Sequence, residues 1–219
     1  MIIAIDGPAA SGKGTLAKAV AAHCGFAHLD SGLLYRAVAK SLVDRGLSLE
    51  DEAAAAEAAA SLDLSVLDAA ALRGAAMGEA ASRIAACPSV RAALVDLQRS
   101  FARQPGGAVI DGRDIGTVIC PDADVKLFIT ATSEERARRR WRELVLGGAP
   151  LDYDVVLADI RRRDERDSTR TASPLRQAPD AVVIDTTHLD ARAALSAALG
   201  IIAEKRARCE PAALTPRGR

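Results

Sequence analysis

The sequence contains no asparagine, few aromatic residues and no excess charge of either sign. Its aromatic side chains, one Trp, two Tyr and three Phe, offer little surface for the base stacking of single-stranded nucleic-acid binders. A formal net charge of zero removes the broad positive field that draws proteins to nucleic acid or anionic membranes. Without asparagine the chain cannot carry the Asn-Lys-x-Asp motif that reads guanine, which argues against a GTP switch. We therefore expect neither nucleic acid nor a membrane as partner.

Cysteine is also sparse, and its four copies are widely spaced with no CxxC pair. Disulfide-stapled secreted domains have a far higher cysteine density, so we expect reduced thiols. The longest apolar runs fall well short of the ~20 residues that span a bilayer. These features predict a cytoplasmic protein, and 219 residues suit a single α/β domain of ordinary size.

Five short apolar runs without polar alternation are typical of strands that are buried on both faces. Helical patterns lie between them, which predicts right-handed crossovers and a central parallel sheet of about five strands in a three-layer α/β fold. The runs are Met1–Ile5, Ala27–Leu29, Ala108–Ile110, Val125–Ile129 and Ala181–Ile184.

Two stretches interrupt this alternation. An Ala-rich helical pattern from Ser48 to about Arg103 is far longer than one crossover requires, and it indicates an inserted subdomain. Gly147–Pro150 lies between two Arg-rich helical segments and indicates a mobile loop in a short lid. The predicted division is a core at 1–34, 104–142 and 166–205, an inserted subdomain at about 35–103, a lid at about 143–165 and a frayed tail at 206–219.

A phosphate-binding loop gives the strongest signal. A GxxxxGK pattern follows the first predicted strand and opens a helix, which is the context this motif requires. Backbone amides and the helix amino terminus would surround phosphate oxygens, and Lys13 would reach the outer phosphates. Gly14 stands where Ser or Thr is usual, so a hydroxyl for a metal would come from Thr15. The alternative is a glycine-rich turn that binds nothing. The predicted loop comprises Gly7, Pro8, Ala9, Ala10, Ser11, Gly12, Lys13, Gly14 and Thr15.

Arginine is distributed unevenly, with eleven copies between Arg136 and Arg176 and only Arg36 before residue 40. On a neutral chain this pattern predicts a local anionic ligand. Arginine and short polar residues recur together near predicted strand ends, where open α/β sheets place ligands. The groups are Asp30–Gly32 with Tyr35–Arg36, Asp111–Thr117, Arg136–Arg142 and Arg163–Arg170.

Six segments spread over nearly the whole chain resemble the bacterial cytidylate kinases, which belong to the nucleoside monophosphate kinases of the P-loop class. They are IDGPAASGKGT, LDSGLLYRAVA, IDGRDIGTV, PDADVKLFITATSEERARRR, RRRDERDSTR and ASPL. The resemblance implies a P-loop kinase fold and a monomer. It also implies transfer of the γ-phosphate of ATP to CMP or dCMP with Mg²⁺, which gives ADP and CDP or dCDP.

The same resemblance implies roles for individual residues around the acceptor nucleotide. A cytosine ring, with an amino donor beside a ring nitrogen and a carbonyl, needs acceptors such as Asp and donors such as Arg or Ser. The implied phosphate ligands are Arg36, Arg113 and Arg170, the ribose neighbours Arg163 and Asp167, and the cytosine set Ser82, Arg91 and Asp114, with Ser31 and Tyr35 in a further matching segment.

One departure from the family pattern lies between Leu62 and Ser82, where this chain is shorter than the usual insert. Only Asp63–Leu67 has an extended pattern there, so we expect a trimmed subdomain. The lid loop and this subdomain are expected to close over both nucleotides and exclude water.

Phosphoryl transfer requires positioning and charge neutralisation more than covalent chemistry. The acceptor phosphate oxygen is already ionised, so no general base is needed, in keeping with three histidines outside any motif. Asp111, directly after a predicted strand, is the expected acidic Mg²⁺ ligand together with Thr15; the alternative is a turn cap. The run at 136–142 could also be a solvated face paired with glutamates. The predicted catalytic side chains are Lys13, Arg136, Arg140 and Arg163.

Two rival functions remain open at this stage. One is a kinase for another small acceptor such as UMP, AMP or shikimate, which an acceptor panel would separate. The other is a nucleic-acid-binding protein that uses the arginine-rich stretch, which the neutral charge and the scarcity of aromatic residues disfavour.

Overall fold

Five parallel strands form the central sheet of the computed structural model, which describes residues 1–64, 68, 71–72, 74–148 and 151–209. The strand order is β2-β3-β1-β4-β5. Every predicted apolar run is a strand within two residues of its expected limits, so the α/β prediction with a three-layer P-loop kinase fold is confirmed. The strands are β1 Ile2–Asp6, β2 Ala27–Asp30, β3 Ala108–Gly112, β4 Val125–Thr130 and β5 Val182–Asp185.

Helices connect the strands and cover both faces of the sheet. Alternate side chains of β1 enter different cores: Ile3 and Ile5 pack with α1 and α8, whereas Ala4 packs with α2 to α5. Burial on both faces explains the unbroken apolar runs in the sequence. The helices are α1 Lys13–Cys24, α2 Ser31–Asp44, α3 Glu52–Ala60, α4 Ala75–Ile84, α5 Pro88–Ala102, α6 Ser133–Leu146, α7 Tyr153–Thr169 and α8 Ala191–Cys209.

The segment predicted as an inserted subdomain contains most of α2 and all of α3, α4 and α5. Buried residues of these helices share one hydrophobic core with Ala4 and Ile110 of the sheet. The predicted boundary at Tyr35 falls inside α2. The expected extended stretch Asp63–Leu67 lies largely outside the described residues, and Asp63 and Leu64 are not in a strand.

Helices α6 and α7 stand between β4 and β5 and pack through Ala137, Val156 and Ile160 against Ala9 of the phosphate loop. In the predicted lid loop, Ala149 and Pro150 lie outside the described residues. Helix α8 extends to Cys209, so the first residues of the predicted tail are helical, and residues 210–219 lie outside the description. Across the described ranges, no helix is long and apolar enough to cross a membrane.

Candidate active site

A cleft with a volume of about 700 Å³ opens at the carboxyl ends of the strands. Parallel register places Asp6 of β1 beside Gly112 of β3, and Asp30 of β2 beside Asp111. The segments that follow these strands therefore meet at one edge of the sheet, where open α/β folds bind ligands. The cleft joins the phosphate loop on one side to an arginine-rich wall on the other.

The phosphate loop connects Asp6, the last residue of β1, to Lys13, the first residue of α1. Gly7 has φ 155°, and a Cβ there would lie 2.1 Å from the backbone oxygen of Ile129, so only glycine fits. Ala10 and Gly12 also have positive φ, 57° and 88°. This alternation turns successive amides toward one side and forms a concave site for an anion at a helix amino terminus.

Lys13 lies at the mouth of this loop, and its Nζ donates to the backbone oxygen of Pro8 at 3.3 Å. Burial, and then the positive charge of Arg113, lower the pKa of Lys13 to about 7, although Asp111 and Asp30 oppose the shift. A bound phosphate would give this buried ammonium group an ionic partner and would favour its protonated form.

Asp111 is the penultimate residue of β3 and lies beside the start of α1. Its Oδ1 lies 2.9 Å from His28 Nε2, and its backbone oxygen accepts from Ser31 Oγ at 2.8 Å. A Cβ on Gly14 would lie 3.7 Å from Asp111 Oδ2, which places this carboxylate oxygen over the first turn of α1. Thr15, two residues after Lys13, also lines the cleft.

The arginine-rich wall of the cleft contains both paired and unpaired cationic donors among the described residues. Arg113 Nε donates to Asp167 Oδ2 at 2.8 Å. Arg163 Nε and Arg170 Nη2 are buried and have no hydrogen-bond partner within the described part of the chain. Burial, reinforced by the charge of Arg113, lowers the pKa of Arg163 to about 10. Buried arginine donors of this kind fit a phosphate, which accepts charge-assisted hydrogen bonds. Arg36 lines the same region.

Asp167 organises these arginines. Burial alone would raise its pKa, but the charges of Arg113 and Arg163 outweigh that effect and hold the pKa below its usual value. Ser82 Oγ donates to Asp167 Oδ1 at 3.4 Å, so α4 and α7 meet at this carboxylate.

Arg91 and Asp114 form a buried ion pair across the cleft wall. Arg91 Nη1 also donates to the backbone oxygen of Ala85 at 3.0 Å, and its guanidinium lies 5.5 Å from the ring centre of Tyr35. The structure thus brings the predicted cytosine set to one wall. Ser82 lines the same cleft despite the short insert, although its hydroxyl contacts Asp167 rather than the ion pair.

Two of the predicted catalytic arginines have different surroundings. Arg140 lines the cleft and pairs with Glu143 at 3.0 Å. Arg136, expected to supply charge in the cleft, does not line it: the residue is 5 % exposed, and its guanidinium binds Asp164 and the backbone oxygens of Ala131 and Ala9. The sequence did not predict these contacts, and the catalytic role of Arg136 stays a prediction. Gly7, Pro8 and Ser11 likewise contribute to the loop but do not line the cleft.

Sequence reasoning did not single out Arg139 within the Arg136–Arg142 group, and it missed Thr186 and Asp6. Arg139 lines the cleft and contacts Thr186, which directly follows β5. Asp6 accepts from the amides of Ile115 and Gly116 at 2.8 and 2.7 Å, and so connects the loop to the segment after β3. The available signal was position, because Asp6 and Thr186 both stand at carboxyl ends of strands.

Comparison with known proteins agrees with this geometry. A family model described as cytidylate kinase matches residues 3–204. A cytidylate kinase of Rhodopseudomonas palustris (strain TIE-1) is 59% identical over 207 residues, covering 94% of this chain and 98% of the relative. One from Methylocella silvestris is 63% identical over 202 residues, covering 92% and 94%.

Among solved structures, an uncharacterized protein from Eubacterium ventriosum has the same fold, with a TM-score of 0.56 and 16% identity, over 93% of this chain and 98% of that protein. The family model and the curated relatives extend over nearly the whole chain, including the loop and the arginine-rich segments. This chain belongs to the cytidylate kinase family.

Proposed function

We propose that the cleft holds ATP on the phosphate loop and CMP or dCMP against the arginine-rich wall. The γ-phosphate of ATP and the phosphate of the acceptor then meet between the loop and this wall. The reaction follows from the family: transfer of the γ-phosphate of ATP to CMP or dCMP, giving ADP and CDP or dCDP. The observation that carries the residue assignment is one continuous cleft that joins Lys13 to donors of Arg163 and Arg170 that have no hydrogen-bond partner among the described residues.

On the donor side, the residues Gly7–Thr15 surround the phosphates with backbone amides. Lys13 neutralises the outer phosphates. Their negative charge in turn favours the protonated form of Lys13, which burial disfavours. Arg140 and Arg163 line the cleft, and we assign to them the neutralisation of negative charge on the phosphoryl group during its transfer.

On the acceptor side, Arg36, Arg113 and Arg170 hold the monophosphate, and Asp167 and Arg163 lie near the ribose. Asp114 offers a carboxylate to the cytosine amino group, while Arg91 and Ser82 offer donors to the ring nitrogen and carbonyl. Ser31 and Tyr35 complete the lining.

No side chain is required to deprotonate the acceptor. A monophosphate oxygen is ionised at neutral pH, so positioning and charge suffice. Among the described residues that line the cleft there is no histidine, and His28 contacts Asp111 from behind.

The site also suits Mg²⁺. Asp111 and Thr15 supply a carboxylate and a hydroxyl beside the phosphate loop, and Mg²⁺ prefers one or two carboxylates plus substrate phosphates and water. In the described ranges no group of three or more His, Cys, Asp or Glu could hold a metal ion by itself. When bound, the ion would neutralise phosphate charge.

We also propose that the lid, about residues 143–165, closes over the nucleotides, since Leu144, Leu151 and Val155 present apolar surface to the cleft.

A monomeric state and a cytoplasmic location remain our expectations. Cys24, Cys87 and Cys120 are free thiols, which suits a reducing compartment.

An acceptor panel tests the function. CMP, dCMP, UMP, AMP and shikimate would be compared with ATP and magnesium in a coupled assay that detects ADP. We expect CMP and dCMP to give the highest kcat/KM. Faster transfer to another acceptor would overturn the assignment of Ser82, Arg91 and Asp114 as the base-reading set.

A further inference from the structure

Two residues of the phosphate loop, Ala10 and Gly12, have left-handed backbone conformations, with φ 57° and 88°. Glycine adopts this region freely, but Ala10 carries a Cβ that disfavours it. A conformation of this kind persists only where neighbouring groups determine it. The contacts of the peptide bond that precedes each residue show what determines it.

The peptide between Ala9 and Ala10 is held from outside the loop. Arg136 Nη1 donates to the backbone oxygen of Ala9 at 3.2 Å. In a planar trans peptide the C=O and N–H groups point in opposite directions. With the oxygen of Ala9 held on the outer side, the amide of Ala10 points to the concave side where the donor phosphates bind.

The peptide between Ser11 and Gly12 is held in the same way. The backbone oxygen of Ser11 contacts Thr186 Oγ1 at 2.9 Å and accepts from Arg139 Nη1 at 3.4 Å. The amide of Gly12 therefore also points to the concave side. Both left-handed residues thus follow a peptide whose oxygen contacts an arginine of α6.

These anchors are themselves fixed by other elements. Arg136 makes a two-pronged pair with Asp164 of α7, with contacts of 2.8 and 2.5 Å. Arg139 Nε donates to Glu135 at 3.1 Å, and its Nη1 donates to Thr186 Oγ1 at 3.0 Å. Thr186 is only 3 % exposed and follows β5. The loop is thereby fastened both to helices α6 and α7 and to the edge strand of the sheet.

We propose that Arg136, Arg139 and Thr186 are positioning residues that set the peptide planes of the phosphate loop, so that the Ala10 and Gly12 amides face the phosphates of ATP. The inference rests on the proposed assignment of this loop as the donor site. It gives Arg136 a role that needs no contact with substrate, and it links the shape of the loop to the lid through Asp164.

Thr186→Val is the decisive variant, because Thr186 does not line the cleft and its hydroxyl reaches the donor site through the Ser11 oxygen and through Arg139. We expect the KM for ATP, and the Kd of its β,γ-imido analogue measured by calorimetry with magnesium, to rise roughly tenfold, as expected for loss of one hydrogen bond to a phosphate-binding loop. The KM for CMP should stay within about twofold. Thr186→Ser keeps the hydroxyl and should restore wild-type values.

Arg139→Met and Arg136→Met should act in the same direction, the second more strongly because it also releases Asp164. The matched control is Arg161→Met: Arg161 pairs with Glu134 at 2.7 Å and also joins α7 to α6, but it does not touch the loop. Thermal melting would show whether Arg136→Met folds. If it does not, the results for Thr186→Val and Arg139→Met decide whether the proposal holds.

Amide resonances of Ala10 and Gly12 in ¹⁵N spectra of the nucleotide-free protein give a direct readout. We expect both to shift in Arg136→Met, the Gly12 amide in Thr186→Val, and neither in the control. Unchanged ATP affinity and unchanged Gly12 resonance in a folded Thr186→Val would overturn the proposal. Failure of the wild type to bind the ATP analogue would instead overturn the donor-site assignment.

Discussion

The two halves of the cleft are built in different ways. The half that we assign to the donor is one continuous segment, Gly7–Thr15, which offers mainly backbone amides and a single lysine. The acceptor half draws side chains from α2, α4, α5, α7 and the segment after β3. Backbone amides bind phosphate whatever nucleoside it carries, whereas separate side chains can distinguish one base from another. We therefore expect damage to the donor half to be general and damage to the acceptor half to be selective.

Lys13→Ala should give the largest effect. Removing the only lysine of the loop leaves the outer phosphates without their point charge, and kcat/KM should fall about a thousandfold. The loss should be similar for CMP, dCMP and UMP. Lys18→Ala, on an exposed position of the same helix, is the control. A loss confined to CMP would contradict the distinction between the two halves.

Arg170→Met should come next and should affect the acceptor only. Its Nη2 is a buried donor without a hydrogen-bond partner in the part of the chain that the structure describes, and we assign it to the monophosphate. Loss of a charge-assisted hydrogen bond should raise the KM for CMP roughly 10- to 100-fold in steady-state assays, with little change in the KM for ATP. Arg176→Met, at an exposed position nearby, should behave as wild type. An equal rise in both KM values would count against separate subsites.

Asp114→Asn should change selectivity rather than overall activity. The substitution replaces one carboxylate oxygen by an amide donor, so the cytosine amino group loses its acceptor and a carbonyl at the same position gains a donor. We expect the CMP-to-UMP ratio of kcat/KM to fall about tenfold or more. Asp96→Asn, exposed on α5, is the control. An unchanged ratio would remove Asp114 from the base-reading set.

Asp6→Asn should give the smallest effect. Asp6 lies where the phosphate loop contacts the segment after β3, between the two halves of the cleft. Burial raises the pKa of Asp6 to about 6, in spite of its hydrogen bonds from Gly116 and Ile115. Because the pKa of this carboxyl is higher in the folded protein than in the unfolded chain, the folded protein binds a proton at a higher pH. The free energy of unfolding therefore rises as pH falls from about 6 toward the ordinary pKa of an aspartate. Relative to Asp6→Asn, the wild type should gain about 1.4 kcal/mol of unfolding free energy between pH 7.5 and pH 5 in denaturant titrations. Parallel pH profiles for the two proteins would show that Asp6 does not titrate in this range.

The sequence was most informative where function depends on local backbone. The five strands and the phosphate loop were predictable because each is a contiguous pattern of apolar or glycine residues. The family resemblance also named the acceptor residues, and all of them line the cleft. Their ion pairs, such as Arg91 with Asp114, join residues far apart along the chain, and no local pattern reports them.

Arg136 shows the limit of the sequence. In a run of arginines on one helix, spacing alone could not separate the residues that face the cleft from those that face the protein. The orientation of α6 against Ala9 and α7 placed Arg136 behind the loop and Arg140 in the cleft. Thr186 carried no signal beyond its position after a strand.

By itself the sequence determined the α/β alternation, the phosphate loop and the family, because these are written in short stretches whose periodicity and backbone requirements are local. Only the tertiary structure decided which charged groups meet. Packing of α6, α7 and β5 around the loop fixed the contacts of the Ala9 and Ser11 oxygens. Such contacts depend on the relative orientation of distant elements, which is set by the shared hydrophobic core and not by any one segment.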